Sequence, residues 1–209
     1  MSSSKHMRPA FTLVELLAVI AMIGILAAIL IPVVGSVMEQ ADTAKSTSNL
    51  RQLGNATSLY VADNDYEVPM LGNGNYGNPP WYITLSGYIG ITQNESGYGF
   101  FEESTESILS NPATDFPEYS VNYAPSFNTA AAGSSTGKIL KMTDVKSPSS
   151  KSWLITTSRS YFYNPYNQMN VEYPHNKQAN VLFFDGSVAL VAEEKVVELG
   201  RDLLDPWTE

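Results

Sequence analysis

Cysteine is absent from the 209 residues, which removes any disulfide framework, any thiolate metal site and any cysteine nucleophile. Histidine is nearly absent, with only His6 and His175. Basic residues are few, 12 Lys and Arg against 21 Asp and Glu for a net charge of -9, and they form no cluster. A nucleic-acid-binding surface needs such a cluster, so the balance argues against one and most simply serves solubility. No Gly-x-Ser-x-Gly elbow and no grouped metal ligands occur, so a hydrolase would lack its parts. The sequence assigns no catalytic residue and no metal ligand.

What the chain does have is a long apolar run, Phe11 to Val37. From Leu16 to Val34 it carries nineteen consecutive residues without a charged or strongly polar side chain, close to the ~20 that cross a ~30 Å hydrocarbon core as a helix. The run exceeds the ~7 to 15 apolar residues of a cleaved secretory signal. Lys5 and Arg8 precede it, whereas Glu39, Asp42 and a single Lys45 follow. By the positive-inside rule the N-terminus stays in the cytoplasm and the remainder is exported. Two residues are unusual for a plain anchor. Glu15 places a carboxylate where the apolar run begins, at a cost of a few kcal/mol, roughly, unless it finds a partner or a polar environment; a place near the helix N-terminus, favoured by the dipole, is the simpler alternative. Pro32 removes a backbone hydrogen bond and predicts a kink or local opening, with Gly24 as a second weak point.

Beyond the span the helical pattern turns amphipathic. Leu50, Leu53, Thr57, Tyr60 and Val61, with Ala41 and Ala44 upstream, share one face, and Lys45, Arg51, Gln52 and Asn55 lie off it. No strong breaker precedes Asp63-Asn64-Asp65 and Pro69, so one helix is expected from Phe11 to about Ala62. Asp63, Asp65 and Glu67 alternate like calcium ligands, but the glycine and the closing glutamate of such a loop are missing. No cofactor is therefore expected, and calcium is the one ion those three carboxylates bring into question.

From Pro69 to Asn128 the periodicity is poor, with short candidate elements at Trp81 to Ile91 and Tyr119 to Tyr123. Asn128 to Gly137 reads as a mobile loop, Ser152 to Thr157 as a strand and Tyr161 to Tyr166 as an aromatic loop. Ala179 to Phe184 and Ser187 to Val191 flank Asp185-Gly186, which predicts a β-hairpin with a type I′ turn. Val196, Leu199, Leu203 and Leu204 then predict a short closing helix before Pro206. The fold class expected is α+β, a long N-terminal helix packed on a small antiparallel sheet. Residues 1–10 form a leader, 11–37 the membrane helix and 38–209 a soluble domain that includes the amphipathic half of the helix, about 38–63.

The stretch Ala10-Phe11-Thr12-Leu13-Val14-Glu15 resembles the processing site of type IV prepilins and type II secretion pseudopilins. The resemblance implies cleavage by prepilin peptidase between Ala10 and Phe11, where the family usually carries Gly before the cut, and N-methylation of Phe11. It also implies that Glu15, the family's glutamate, pairs with a Phe11 ammonium in its own or a neighbouring subunit, and that Gly24 and Pro32 let the helix loosen during filament assembly. His175, nine residues and then Asp185-Gly186 resemble the C-terminal signature of a group of prepilin-type proteins, as does Asn49-Leu50-Arg51-Gln52-Leu53-Gly54. The two matches cover about residues 8–68 and 143–191.

The partners implied are copies of itself and other pseudopilins in a filament, prepilin peptidase, an inner-membrane assembly platform and the membrane, with no nucleic acid. The location implied is the bacterial inner membrane, single-pass, and then a periplasmic or surface filament. The expected role is a structural, non-enzymatic subunit. A membrane-anchored extracytoplasmic binding or sensory domain that never polymerises is the alternative. For His175 and Asp185 the plainest roles are a hydrogen-bonded histidine pinning a loop and an aspartate chosen for its turn.

Overall fold

A computed structural model describes residues 12–69, 81–90, 108–109, 111–113, 123–125, 140–157, 171–200 and 203. The loops expected at Asn128 to Gly137 and Tyr161 to Tyr166, together with Ala10 and Phe11, lie outside the described residues. The chain divides into two compact units, Met1–Gln40 and Ala41–Glu209. Helix α1, Leu13–Asp63, contributes to both.

In the first unit every described residue, from Thr12 to Gln40, is exposed. Seventeen large apolar side chains between Leu13 and Met38 are among them, with Leu13 79% and Ile31 73% accessible. Moving each from water to an apolar environment is worth about 1.5–3 kcal/mol, so together they outweigh the ~5–15 kcal/mol that stabilises a typical domain. This surface belongs in lipid or among other apolar helices. By length and composition the segment suffices to cross a membrane. The helix runs through Gly24 and Pro32 without interruption, and the kink expected at Pro32 leaves no break in the element. Ser36 Oγ donates to the Val33 carbonyl at 2.9 Å, one turn beyond the proline.

The second unit is built on a four-stranded antiparallel sheet in the order β1 (Tyr123–Pro125), β2 (Ser152–Thr156), β3 (Gln178–Phe183), β4 (Val188–Ala192). Helix α2 (Trp81–Ile89) and the short α3 (Glu193–Leu199) complete it. The sheet separates two apolar clusters. On one face Leu50, Leu53 and Ala56 of α1 meet Trp81, Trp153, Leu182 and Phe184. On the other Ile155, Ala179 and Val181 meet Val196 and Leu203. Alternation along β3 follows the strand period of two, with Val181 on one side and Leu182 on the other. Both faces are covered, so all five residues of β2 are buried, and after Ser152 its sequence is a run of apolar and β-branched residues. A register shift between Ser152 and Leu154 accompanies the placement of the sequence neighbours Trp153 and Leu154 in one cluster.

The packed face of α1 differs from the expected one at its upstream end. Leu50, Leu53, Thr57 and Val61 are buried and Tyr60 partly so, but Ala41 and Ala44 are exposed, and Ser46 and Asn49 take the buried positions. The reason is chemical. Ser46 Oγ is hydrogen-bonded to Tyr123 Oη at 2.8 Å and accepts from Asn180 Nδ2 of β3, while Trp153 Nε1 donates to Thr57 Oγ1 at 3.0 Å. A polar seam inside the core asks for polar residues on the helix, because an unpaired buried group costs about 1–3 kcal/mol. Burial pushes the Tyr123 hydroxyl well above the ordinary tyrosine range.

Helix α1 closes at the polar run expected to end it. Asn64 Nδ2 donates to the Tyr60 carbonyl at 2.8 Å, and Asp65 and Tyr66 adopt positive φ of 48° and 64°. Asp63 Oδ2 accepts from Tyr88 Oη at 3.1 Å, and the backbone of Glu67 pairs with that of Lys141 in an isolated antiparallel bridge. Among the described residues no three His, Asp or Glu side chains are grouped to hold a metal.

Candidate functional site

Two features carry the functional argument, one in each unit. The first is the start of α1. Thr12 N–H donates to Glu15 Oε2 at 2.8 Å and Glu15 N–H donates to Thr12 Oγ1 at 3.2 Å, with the threonine hydroxyl also donating to Glu15 Oε2 at 2.7 Å. This reciprocal pair is a capping box, in which the residue before the helix and the third helical residue satisfy each other's free amides. The Thr-x-x-Glu spacing that produces it is plain in the sequence but was not part of the expectation for Glu15. Within the single chain the carboxylate therefore has local donors before any other partner is considered, and it stands at the helix N-terminus where a negative charge is favoured.

The second is the stretch from His175 to Gly186. His175 N–H donates to the Gln178 carbonyl at 3.3 Å and Gln178 N–H donates back at 3.0 Å, while Asn176 and Lys177 between them have positive φ of 50° and 59°. That is the pattern of a type I′ turn, and it leads into β3. The expectation placed this turn type at Asp185-Gly186, and there the structure differs. Of the residues in that turn only Gly186 has positive φ, at 84°. Gly186 N–H donates to Phe183 O at 3.0 Å and Phe183 N–H to Ser187 O at 2.8 Å. The hairpin is thus closed by a three-residue loop, a type I turn followed by a left-handed glycine. Asp185 Oδ1 accepts from Ser187 N at 2.9 Å and Ser187 Oγ at 2.6 Å, the short-range bonding that suits aspartate to turns.

His175 and Asp185 consequently lie at opposite ends of β3, and the structure does not bring them together. The nine residues between them are the I′ turn, the six-residue strand and Phe184. The spacing of the motif is the length of one strand with its two turns.

The imidazole of His175 is 2% accessible and bonded through both nitrogens. Nδ1 lies 2.9 Å from Thr43 Oγ1 of α1, and Nε2 lies 3.2 Å from Asn111 Nδ2. The Asn111 amide is oriented by Ala113 N–H, which donates to Asn111 Oδ1 at 3.0 Å, so the NH2 group faces the ring. Nε2 must then accept, and the ring proton sits on Nδ1 and points to Thr43. This polarity is the reverse of a general base, which would take the hydroxyl proton. The ring ties together α1, the Asn111 turn and the entry to β3.

Asn111 went unnoticed in the sequence because its surroundings lack periodicity. The dipeptide Asn111-Pro112, a turn former, was the available signal. The upstream motif packs against the same hairpin. A Cβ added at Gly54 would meet Leu182 Cδ1 at 3.0 Å and Gly186 Cα at 3.8 Å, so the glycine allows α1 to approach β3 and its turn. Gly24, by contrast, has nothing within 4 Å of an added Cβ.

Comparison with known proteins agrees with the first feature. Residues 6–31 match the prokaryotic N-terminal methylation motif. Over that segment the chain resembles type IV pilin-like proteins. It is 38% identical over 61 residues to the type II secretion system core protein G of Aeromonas hydrophila, covering 29% of this chain and 43% of that one. With the protein of the same name from Escherichia coli K12 it shares 39% over 56 residues, 27% of this chain and 39% of the relative. The chain thus spans about two-fifths of the length of the curated relatives it matches. No solved structure matches it. The pilin-like architecture, a 51-residue N-terminal helix and a small antiparallel sheet, accords with the α+β class expected from the sequence.

Proposed function

We propose that this protein is a non-enzymatic structural subunit of a type II secretion or type IV pilus-like filament, held in the bacterial inner membrane with its N-terminus cytoplasmic until assembly. The observation that carries this reading is the exposed apolar surface from Leu13 to Met38, most of which lies within the methylation-motif match over residues 6–31. Cleavage between Ala10 and Phe11 by prepilin peptidase, with methylation of Phe11, would leave Thr12 and Glu15 as the second and fifth residues of the mature chain. Within the membrane Glu15 keeps its capping bonds to Thr12. During docking it exchanges part of that bonding for the ammonium of a neighbouring subunit's Phe11, which sets the stagger between helices. Gly24 and Pro32 supply the positions where α1 loosens as it leaves the bilayer. Other pseudopilins and an inner-membrane platform are the partners this scheme requires.

The lack of cysteine allows a clean test, because single cysteines at successive exposed positions from Leu16 to Gly24 crosslink without background. A ladder of oligomers that Glu15→Ala abolishes supports the proposal. Filaments formed normally by a cleaved Glu15→Ala variant would overturn the role of Glu15. The absence of crosslinked oligomers at every position would favour an anchored domain that does not polymerise.

A further inference from the structure

Among the described residues strand β4 is one of the two edges of the sheet, and its sequence lacks the usual protection of such edges. Among the described residues nothing pairs with its outer side. Its sequence, Val-Ala-Leu-Val-Ala, contains no charge and no proline, and it pairs with β3 through five consecutive residues without a bulge. Ala189, Leu190 and Ala192 are exposed. Edges of this kind are normally blunted by Lys, Pro, bulges or short length.

The ladder shows which backbone groups are on offer. Phe183 N–H donates to Ser187 O at one end and Glu193 N–H to Lys177 O at the other. With the register Val181↔Ala189 and Ala179↔Val191, residues 189 and 191 turn their backbone groups toward β3. Val188 and Leu190 therefore present both N–H and C=O outward. Ala192 presents its N–H, since it is the residue before α3.

The flanks decide what fits. Asp185 precedes the strand, and Glu193, Glu194 and Glu198 follow it, all exposed. Among the described residues, Lys177 lies beside Glu193, the buried Lys151 backs onto Phe184 next to Asp185, and Lys195 is already paired with Glu198 at 2.9 Å. A second copy added antiparallel would bring the Asp185 end of one strand to the Glu193 end of the other, acid against acid, in a chain of net charge -9. Like charges in register are unfavourable.

We infer that the outer edge of β4 is a strand-addition site for an extended segment of another protein, one with alternating apolar side chains and Lys or Arg at its ends. Backbone bonds to Val188, Leu190 and Ala192 would hold it, Leu190 would supply the apolar contact, and the acidic flanks would select its charge. The inference does not depend on the filament reading, since every residue it uses lies in the second unit.

Amide hydrogen exchange on the full chain in detergent micelles tests it. The probe is a synthetic peptide of alternating valine and threonine with lysines at both ends, and the control carries glutamates in place of the lysines. The expected result is that the lysine peptide slows exchange at Val188, Leu190 and Ala192, amides that exchange fast in the free protein, while Ala189 and Val191 are slow throughout. Leu190→Pro should abolish the effect without losing a bond to β3, because that N–H faces outward, and Leu190→Lys should do the same if the proline variant fails to fold. Equal protection by the glutamate peptide would overturn the charge selection. Protection that appears on concentrating the protein alone would make a second copy the occupant. No protection at all would overturn the site.

Discussion

The segment from Thr12 to Gln40 and the unit from Ala41 onward treat polarity in opposite ways. In the first, the apolar side chains are all outside and the conspicuous acid, Glu15, is satisfied locally by the threonine three residues before it. In the second, apolar residues fill two clusters and a set of polar side chains is drawn inside with them, Ser46, Asn180 and His175 among them. One helix carries both patterns. The lesson is that α1 meets two different environments: its second half is covered by the sheet of its own chain, and its first half is covered by none of the described residues.

That contrast can be broken first in the head. Trp153→Ala removes a side chain 1% accessible, its edge contact with Trp81 and its bond to Thr57. A loss of about 3–5 kcal/mol in unfolding free energy is expected, measured by denaturant titration, with membrane fractionation unchanged. An unaltered midpoint would mean that the head does not depend on this contact. His175→Ala should cost less, about 1–3 kcal/mol, by leaving Thr43 and Asn111 facing an empty site. An NMR spectrum of the wild type sharpens the point, with the ring proton expected on Nδ1. A proton on Nε2 would contradict the assigned bonding.

The buried seam also predicts a pH dependence. The Tyr123 hydroxyl is raised above its ordinary value of 10.0, chiefly by burial. Its contribution is complete below pH about 10, where folded and unfolded chains are both protonated. Above that the unfolded chain alone gives up the proton, so stability falls with rising pH by about 1.4 kcal/mol per unit until the folded group also ionises. Alkaline unfolding followed against a Tyr123→Phe variant measures this term, and identical slopes would refute it. The smallest effect is expected at the other end of the chain. Thr12→Ala breaks the capping box and should cost about 0.5–2 kcal/mol locally. Faster amide exchange over Leu13 to Leu16, with head stability unchanged, is the readout.

Much of this was legible in the residues. The long helix was expected from Phe11 to about Ala62 and runs Leu13–Asp63, because apolar length and helical period are strong signals over many turns. Strand β2 and the β3–β4 hairpin were likewise visible as β-branched runs around Asp185-Gly186. The type of turn was not, since Asp-Gly serves a two-residue and a three-residue loop alike, and the I′ turn formed instead at Asn176-Lys177, where no glycine advertises it. The polar face of α1 was missed for a related reason. Ser46 and Asn49 look like solvent-facing residues until Tyr123 and Asn180 arrive from distant strands. The placement of His175 depended on Asn111, 64 residues away, which no local pattern announces.

The central claim is that the apolar half of α1 is made to be processed and then buried among its own kind. Intact-mass and N-terminal peptide mass spectrometry of the protein purified from its native membrane tests it most directly. The account predicts a mature chain that begins with methylated Phe11 and has lost residues 1–10. A chain that retains Met1 to Ala10 in an otherwise processing-competent cell would contradict it.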